Sequence, residues 1–243
     1  YGQSERSYPA VYLLHGYTDD ETAWVQFGEI NHLADKAINE GIIPSMIIAM
    51  PDAGVTWYAN NYDGSVNYEN FFFQEFIPHI ESEYRIRRLK EYRGIAGLSM
   101  GGYGTTLYAL KHPDMFTAAT PLSAAIYPEV EVIGYDQERW DRQEGLVYGP
   151  GLKGKKRLTD HWKANNPFHI VNNSDLEKIK SVRWYFDCGD DDFLYRGNSL
   201  FHIFLRDKEI PHEFRIRDGE HNWEYWRTGI IDALQFIGKD FHR

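Results

Sequence analysis

The amino-acid sequence predicts an α/β protein with a mostly parallel sheet of about six strands flanked by helices. Three observations support this fold class. Short apolar runs recur along the chain, and their continuous hydrophobicity is typical of strands buried on both faces. Segments with apolar residues at helical spacing separate these runs, as in successive βαβ units. A Gly-x-Ser-x-Gly motif at 97–101 lies between a strand pattern and a helix pattern.

In the first half of the chain, strand and helix patterns alternate. Apolar runs predict strands at 10–14, 45–50 and 95–98, and helical spacing predicts helices at 30–38, 72–84 and 103–110. Gly41 marks the end of the first helix. Pro78 lies inside the second helix, and because proline has no N–H to donate we expect a break or kink there.

The second half contains a long segment without a regular pattern. Around it, strands are predicted at 116–122, 182–188 and 212–216, and helices at 200–205 and 226–241. The segment 127–170 is rich in glycine and shows no sustained periodicity. A segment this long in a compact domain is usually functional, so we expect an insertion near the edge that carries the active site. The alternative is a surface excursion of no consequence. No repeat or linker is visible, so residues 1–243 are predicted to form one domain.

Composition argues against several classes of function. The chain has 243 residues and a net charge of −10, and its densest basic stretch, 153–157, is short, which argues against nucleic-acid binding. No apolar run approaches the roughly 18 residues of a membrane-spanning helix. The single cysteine, Cys188, cannot form an internal disulfide. We therefore expect neither nucleic acid nor a membrane as partner.

Ser99 is the candidate nucleophile, because it is the serine of the Gly-x-Ser-x-Gly motif. Bulky residues would clash at Gly97 and Gly101 in the tight strand-to-helix turn that this motif forms. The following helix would direct its N-terminal amides at an anion formed beside the serine. The alternative is a chance turn rich in glycine and serine.

A serine hydroxyl needs a base, and the base needs an acidic partner. In the hydrolase arrangement the chain order is serine, acid, histidine. His221 follows the last predicted strand in a loop preceded by glycine, whereas His242 lies near the chain end. The acid candidates Asp190, Asp191 and Asp192 are adjacent, and the residues alone do not choose among them. They also raise the possibility of a metal, but His/Cys ligand spacing and His-Glu-x-x-His are absent, so none is expected.

Two backbone N–H groups are expected to form the oxyanion hole. One belongs to Met100, the residue after the nucleophile, and the other to Tyr17, in the loop after the first core strand. His15, which precedes that loop, is predicted to be structural rather than catalytic.

Four stretches of the sequence carry a family resemblance, and they lie at 8–16, 97–104, 188–195 and 219–226. They resemble the putative-esterase family of α/β-hydrolases. That family holds carbohydrate esterase family 1 (feruloyl and acetylxylan esterases), tributyrin esterases and the esterase D/S-formylglutathione hydrolases. The resemblance implies an α/β-hydrolase fold and serine esterase chemistry without a cofactor. The family acid is the Asp of a Gly-x-x-Asp pattern, which here is Asp192.

Among the branches, the aromatic loop at 57–60 and the run at 221–226 are most similar to bacterial plant-polysaccharide and tributyrin esterases. The resemblance therefore implies a carboxylesterase acting on ester-decorated plant xylan, a polysaccharide or oligosaccharide, with feruloyl esters favoured. Substrate-binding aromatics are expected at Trp57, Tyr58, Tyr195 and Trp223, although each could instead pack the loops together.

Three alternatives remain open from the sequence. The first is an acetylxylan or short-chain esterase, and the second an S-formylglutathione hydrolase. The third is a catalytically silent carbohydrate-binding or docking module. The resemblance also implies a secreted or periplasmic enzyme. Relatives usually carry strands before the first core strand, and here Tyr1 begins too late for them. Either the sequence is part of a longer, multidomain enzyme, or the sheet edge is finished differently.

Overall fold

The computed structural model of the protein describes residues 5–241. The first four residues and the last two, His242 among them, lie outside this range. Within it, six strands form one sheet in the order β2-β1-β3-β4-β5-β6, and every neighbouring pair is parallel. The strands are β1 (Ala10–Leu14), β2 (Ile47–Ala49), β3 (Arg93–Leu98), β4 (Ala118–Leu122), β5 (Arg183–Gly189) and β6 (Glu213–Arg217). The predicted sheet is confirmed, with small shifts at the strand ends.

Helices cover both faces of this sheet. Over the described range they are α1 (Ala23–Gln26), α2 (Ile30–Asn39), α3 (Tyr68–Phe71), α4 (Ile77–Glu83), α5 (Met100–Lys111), α6 (Glu129–Gly134), α7 (Gln137–Arg142), α8 (Gly145–Tyr148), α9 (Asp160–Ala164), α10 (Pro167–Asn173), α11 (Leu176–Lys180), α12 (Tyr195–Asp207) and α13 (Trp223–Gly238). Short 3₁₀ turns lie at Lys90–Tyr92 and Gly154–Arg157. Among residues 5–241, no helix has the length and apolar character needed to cross a bilayer.

The strand residues alternate between two apolar layers, as the two-residue period of a strand requires. In β1, Tyr12 and Leu14 join the layer that contains α5 and α12. Val11 and Leu13 join the opposite layer, which contains α2 and α13. All of β1 is buried. Because both faces are covered, the continuous apolar runs of the sequence are explained.

The expected irregularity near Pro78 is present. A π-helical turn, Phe72–Phe76, joins α3 to α4, and Pro78 lies in the first turn of α4. Because Pro78 has no N–H to donate to the carbonyl of Gln74, the regular α-helical bond is missing at that point. The wider π turn lies where this bond is lost.

The insertion at 127–170 differs from the sequence expectation. It is not irregular: five helices, α6 to α10, begin within it, together with one 3₁₀ turn. These helices have four to seven residues each, which is too short to produce a readable helical period. Arg157 is buried at its centre and donates hydrogen bonds to the carbonyls of Val132, Tyr135 and Leu152. The insertion is therefore a structured unit.

An ion pair with a buried carboxylate joins β5 and β6, which are the last two strands of the sheet. Asp187 on β5 is fully buried, and Arg217 on β6 donates to it from Nε at 3.0 Å and from Nη2 at 3.2 Å. The hydroxyl groups of Tyr185 and Tyr225 donate to the same carboxylate. This cluster fixes β5, β6 and α13 relative to one another, and with them the loops that follow both strands.

We predict that Arg217→Ala lowers the free energy of unfolding by about 3 kcal/mol, because it leaves a buried carboxylate without its cation. Arg215→Ala is the matched control, since Arg215 lies two residues earlier on β6 and pairs with Glu213 at the exposed surface. That substitution should cost under about 1 kcal/mol. Urea unfolding measures both. Equal losses of unfolding free energy in the two variants would show that the Asp187 cluster contributes no more to stability than the exposed Arg215–Glu213 pair.

Candidate active site

Strands β1 and β3 are neighbours in the sheet, but the chain leaves them in opposite directions. After β1 it continues to β2 on one side, and after β3 it continues to β4 on the other. In parallel sheets, ligands bind outside the carboxyl ends of the strands at such a switch point. Ser99 follows β3, and Gly16 and Tyr17 follow β1. The fold therefore places the candidate nucleophile and one candidate oxyanion donor on the two sides of this crevice.

Ser99 occupies a strained turn between β3 and α5. Its φ is +55° and its ψ is −115°, a combination that non-glycine residues rarely adopt. Its N–H donates to the carbonyl of Leu122 at 2.9 Å. A Cβ at Gly97 would lie 2.5 Å from the carbonyl oxygen of Gly101, and one at Gly101 would lie 2.5 Å from that of His15. The turn thus requires glycine at both positions, as the motif predicts.

Three side chains from different loops meet above this turn. The Oγ of Ser99 lies 2.8 Å from Nε2 of His221, and Nδ1 of His221 lies 2.8 Å from Oδ2 of Asp192. Asp192 is fully buried, and its Oδ1 accepts the N–H of Leu194 at 2.8 Å. Because a carboxylate can only accept, His221 donates from Nδ1, which leaves Nε2 to accept the Ser99 proton.

The environment of Asp192 keeps its carboxylate charged. Burial by itself raises the pKa of Asp192, but the hydrogen bond and positive charge of His221, with hydrogen bonds from Ser123 and Leu194, bring the pKa below its ordinary value. An ionised Asp192 stabilises the imidazolium that forms when His221 takes a proton. Asp192 and His221 thus form a hydrogen-bonded pair in which the carboxylate stays ionised and the imidazole is free to accept a proton.

The neighbouring carboxylates are placed differently. Asp190 and Asp191 are exposed, and Asp190 accepts the backbone N–H of Gly219 at 3.1 Å. With Asp218 they form an exposed acidic cluster whose oxygens lie within 4.8 Å of one another. Of the three adjacent acid candidates Asp190, Asp191 and Asp192, Asp192 is the one hydrogen-bonded to His221.

The two predicted oxyanion donors border Ser99. Met100 is the first residue of α5, and the first helical bond runs from the N–H of Tyr103 to the carbonyl of Ser99. The N–H of Met100 therefore has no partner within the helix. On the other side, a Cβ built on Gly16 would lie 3.7 Å from Cβ of Ser99, so the peptide between Gly16 and Tyr17 is adjacent to the serine.

His15 has a structural role, as the sequence indicates. It is buried, and its Nε2 accepts the backbone N–H of Ala53 at 2.8 Å, while Nδ1 lies 2.8 Å from the carbonyl oxygen of Gly16. Because a backbone N–H can only donate, Nδ1 carries the proton and donates it to Gly16. The carbonyl of Gly16 and the N–H of Tyr17 belong to one peptide plane. His15 thus orients the Tyr17 N–H.

A cavity of about 560 Å³ opens beside Ser99. Its size is in the range of small-molecule sites. Polar side chains in its wall include Asp19, Arg139 and Gln143. Its aromatic lining comprises Tyr17, Trp57, Tyr127, Phe193, Trp223 and Trp226. Tyr127, Arg139 and Gln143 belong to the 127–170 insertion, so that segment lies at the active-site edge, where it was expected.

Two of the four aromatic residues predicted to bind substrate do not line the cavity. Tyr58 is fully buried, and its hydroxyl donates to the carbonyl of His15 at 3.0 Å, so it supports the oxyanion loop from below. Tyr195 begins α12 and is exposed outside the cavity. Trp57 and Trp223 do line the cavity.

Other lining residues were not predicted from the sequence. Phe193 directly follows Asp192, and that position next to the acid was the available signal. Trp226 lies in the first turn of α13, five residues after His221, and its ring meets the imidazole edge-on at 4.9 Å. Tyr127 and Arg139 come from the insertion, where no periodic pattern distinguishes lining residues from packed ones.

Comparison with known proteins identifies related enzymes. The sequence model of the family described as "Putative esterase" matches residues 1–237. Esterase Rv1288 of Mycobacterium tuberculosis is 29% identical over 238 residues, which cover 91% of this chain and 50% of the relative. The acetyl esterase of Caldicellulosiruptor saccharolyticus is 26% identical over 230 residues, which cover 94% of this chain and 83% of the relative.

A solved structure described as a ferulic acid esterase has the same fold. It superposes with a TM-score of 0.80 at 34% identity, covering 98% of this chain and 86% of that one. This chain spans about half the length of the Mycobacterium tuberculosis esterases that it matches. All of these relatives are described as esterases.

We predict that Asp192→Asn lowers kcat/KM for an ester about ten-thousand-fold, because an amide favours the wrong tautomer of His221. Asp190→Asn and Asp191→Asn are the matched controls, since both residues are exposed and an amide at 190 can still accept the N–H of Gly219. They should lose little activity. A crippled Asp191→Asn beside an active Asp192→Asn would overturn the assignment of the acid.

We also predict that kcat/KM falls toward acidic pH with uptake of one proton. Only neutral His221 can accept the Ser99 proton, and Asp192 does not contribute because its pKa lies below its ordinary value. A pH–rate profile of wild-type enzyme measures this slope. A flat profile from about pH 5 to 8 would argue against a histidine base.

Proposed function

We infer that this chain, which belongs to the family described as "Putative esterase", is a serine carboxylesterase that hydrolyses feruloyl esters of plant xylan. The observation that carries this proposal is the Ser99–His221–Asp192 chain of hydrogen bonds opening into an aromatic-lined cavity. The 34% identity to a ferulic acid esterase supports the choice of acyl group.

In the proposed mechanism, Ser99 Oγ attacks the ester carbonyl while His221 takes its proton through Nε2. The 2.8 Å contact between these atoms is within hydrogen-bond reach, so the transfer needs no rearrangement. Asp192 stays ionised and stabilises the imidazolium. The attack converts the carbonyl oxygen into an oxyanion on a tetrahedral carbon.

The N–H groups of Tyr17 and Met100 would stabilise that oxyanion. Both are fixed before substrate arrives, Met100 by the start of α5 and Tyr17 through the peptide that His15 orients. Preorganised donors of this kind supply a large part of the barrier reduction in acyl transfer. The positive end of α5 adds to the same effect.

Collapse of the tetrahedral species expels the alcohol, and His221 returns the proton to the leaving oxygen. An acyl group then remains on Ser99. Water repeats the sequence with His221 as base, releasing the carboxylic acid and restoring the serine hydroxyl. No cofactor takes part in this proposed mechanism.

The cavity favours an aromatic acyl group. The rings of Tyr17 and Trp57 lie 5.8 Å apart, and Tyr127 lies in the same cavity beside the Arg139 guanidinium. Flat aromatic acids gain large contact area against such rings at little entropic cost. The oxygen substituents of a feruloyl ring can accept hydrogen bonds from Arg139 or Gln143.

An acetyl or short-chain esterase is the second candidate. The observation that favours it is the 26% identity to an acetyl esterase, a relative that this chain covers over most of its length. A silent binding module is a third, and a fluorophosphonate label separates it from both enzymes, because an activated serine reacts. The proposed setting is a secreted or periplasmic esterase domain within a longer protein.

We predict that Trp57→Ala lowers kcat/KM for methyl ferulate roughly ten- to two-hundred-fold, because it removes part of the acyl pocket. The same variant should affect p-nitrophenyl acetate much less, since acetate leaves most of the pocket empty. Tyr62→Ala is the matched control, an exposed aromatic of the same loop outside the cavity. Tyr62→Ala should leave kcat/KM unchanged for both substrates.

Equal losses on both substrates, with a lower melting temperature, would show that Trp57 only packs the loop. Wild-type enzyme that deacetylates xylan well and cleaves methyl ferulate hardly at all would contradict the feruloyl assignment. The acetyl candidate would then replace it.

A further inference from the structure

The direction of proton transfer divides the cavity into two halves. His221 Nε2 gives its proton to the leaving oxygen, so the alcohol of the ester must lie on the His221 side. Two rings flank the imidazole there: Phe193 at 4.5 Å and Trp226 at 4.9 Å between centroids. The rings of Tyr17 and Trp57 are paired with each other on the side of the Tyr17 N–H. The alcohol half of the cavity is therefore bordered by Phe193.

Phe193 is unusually exposed for a residue held so firmly. Its relative exposure is 69%, whereas Trp226 is buried at 5%. The backbone on its C-terminal side is fixed by two bonds to Asp192, from the N–H of Leu194 at 2.8 Å and from the N–H of Tyr195 at 2.9 Å. A large apolar ring is thus held open to solvent at the mouth of the cavity. Its free face suits the flat, apolar face of another ring.

Exposed carboxylates on the loops that carry Asp192 and His221, outside the lining of the cavity, bear on the chemistry of the alcohol. Asp190, Asp191 and Asp218 are exposed on the same two loops, those after β5 and β6. Carboxylates repel an anionic leaving group, and they accept hydrogen bonds from hydroxyl groups. An alcohol that extends past Phe193 toward these carboxylates is therefore favoured when it is neutral and rich in hydroxyl groups, rather than an acidic thiol or peptide.

We propose that Phe193 is a specificity-determining residue that stacks against the neutral sugar ring of the ester's alcohol. The proposal rests on the esterase function proposed above, and it adds that recognition of the sugar depends on the ring next to the triad acid. A methyl ester, whose alcohol is too small to reach the ring face, lacks this contact.

The experiment compares two esters with the same acyl group and different alcohols. One pair is 5-O-feruloyl arabinose and methyl ferulate, and the other is acetylated xylo-oligosaccharide and methyl acetate. For each pair, the ratio of kcat/KM for the sugar ester to that for the methyl ester is measured in wild type, Phe193→Ala, Phe193→Trp and Tyr195→Ala. Tyr195 is the matched control, an exposed aromatic two residues further on that lies outside the cavity.

Wild type should prefer the sugar ester. Phe193→Ala should lower the ratio roughly ten-fold, the loss expected when one apolar contact with the substrate is removed. Phe193→Trp, which keeps an aromatic face, should retain the preference, and so should Tyr195→Ala. Melting temperatures should stay unchanged, because both side chains are exposed.

Equal losses on both members of a pair in Phe193→Ala would overturn the proposal, since a ring that only positions His221 affects every substrate. Loss of the preference in Tyr195→Ala, or no preference in wild type, would also overturn it. If wild type cleaves only the acetyl pair, the feruloyl function fails and that pair still tests Phe193. Wild type that cleaves neither pair overturns both proposals.

Discussion

The hydrogen bond between the buried Asp192 carboxylate and His221 is the interaction on which the proposed chemistry depends. It fixes the tautomer of the imidazole and aims Nε2 at the Ser99 hydroxyl. A charge buried this deeply is stable only because His221, Ser123 and Leu194 supply hydrogen bonds that lower its pKa. The Asp187–Arg217 pair joins β5 and β6, the strands whose following loops carry Asp192 and His221.

The parallel sheet turns this local geometry into a site. Strand order places the loops after β1 and β3 at a switch point, where the Tyr17 and Met100 amides border one serine. The strained backbone of Ser99 persists because neighbouring backbone groups hold it: its N–H bonds to Leu122 and its carbonyl accepts from Tyr103. The insertion then closes one wall of the cavity with its own rigid centre at Arg157.

Much of this could be predicted from the sequence, for identifiable reasons. Strands buried on both faces leave continuous apolar runs. Ser99, Asp192 and His221 follow β3, β5 and β6 at one sheet edge, in the chain order of hydrolase triads. The choice of Asp192 needed a family pattern, because three adjacent carboxylates look alike. Trp57 and Tyr58 show the limit: both have positive φ and adjacent positions, yet one faces the cavity and the other the core. The short helices of the insertion left no period to read.

If Ser99 is the activated nucleophile of an acyl-enzyme mechanism, the intermediate can be trapped on its hydroxyl. The enzyme is mixed with a feruloyl ester, quenched in acid during the first turnovers, digested and examined by mass spectrometry. We expect one feruloyl group on the peptide that contains Ser99, and none when His221 is replaced by Ala. A Ser99→Ala variant that still hydrolyses the ester would contradict this mechanism. An acyl group found on a residue other than Ser99 would also contradict it.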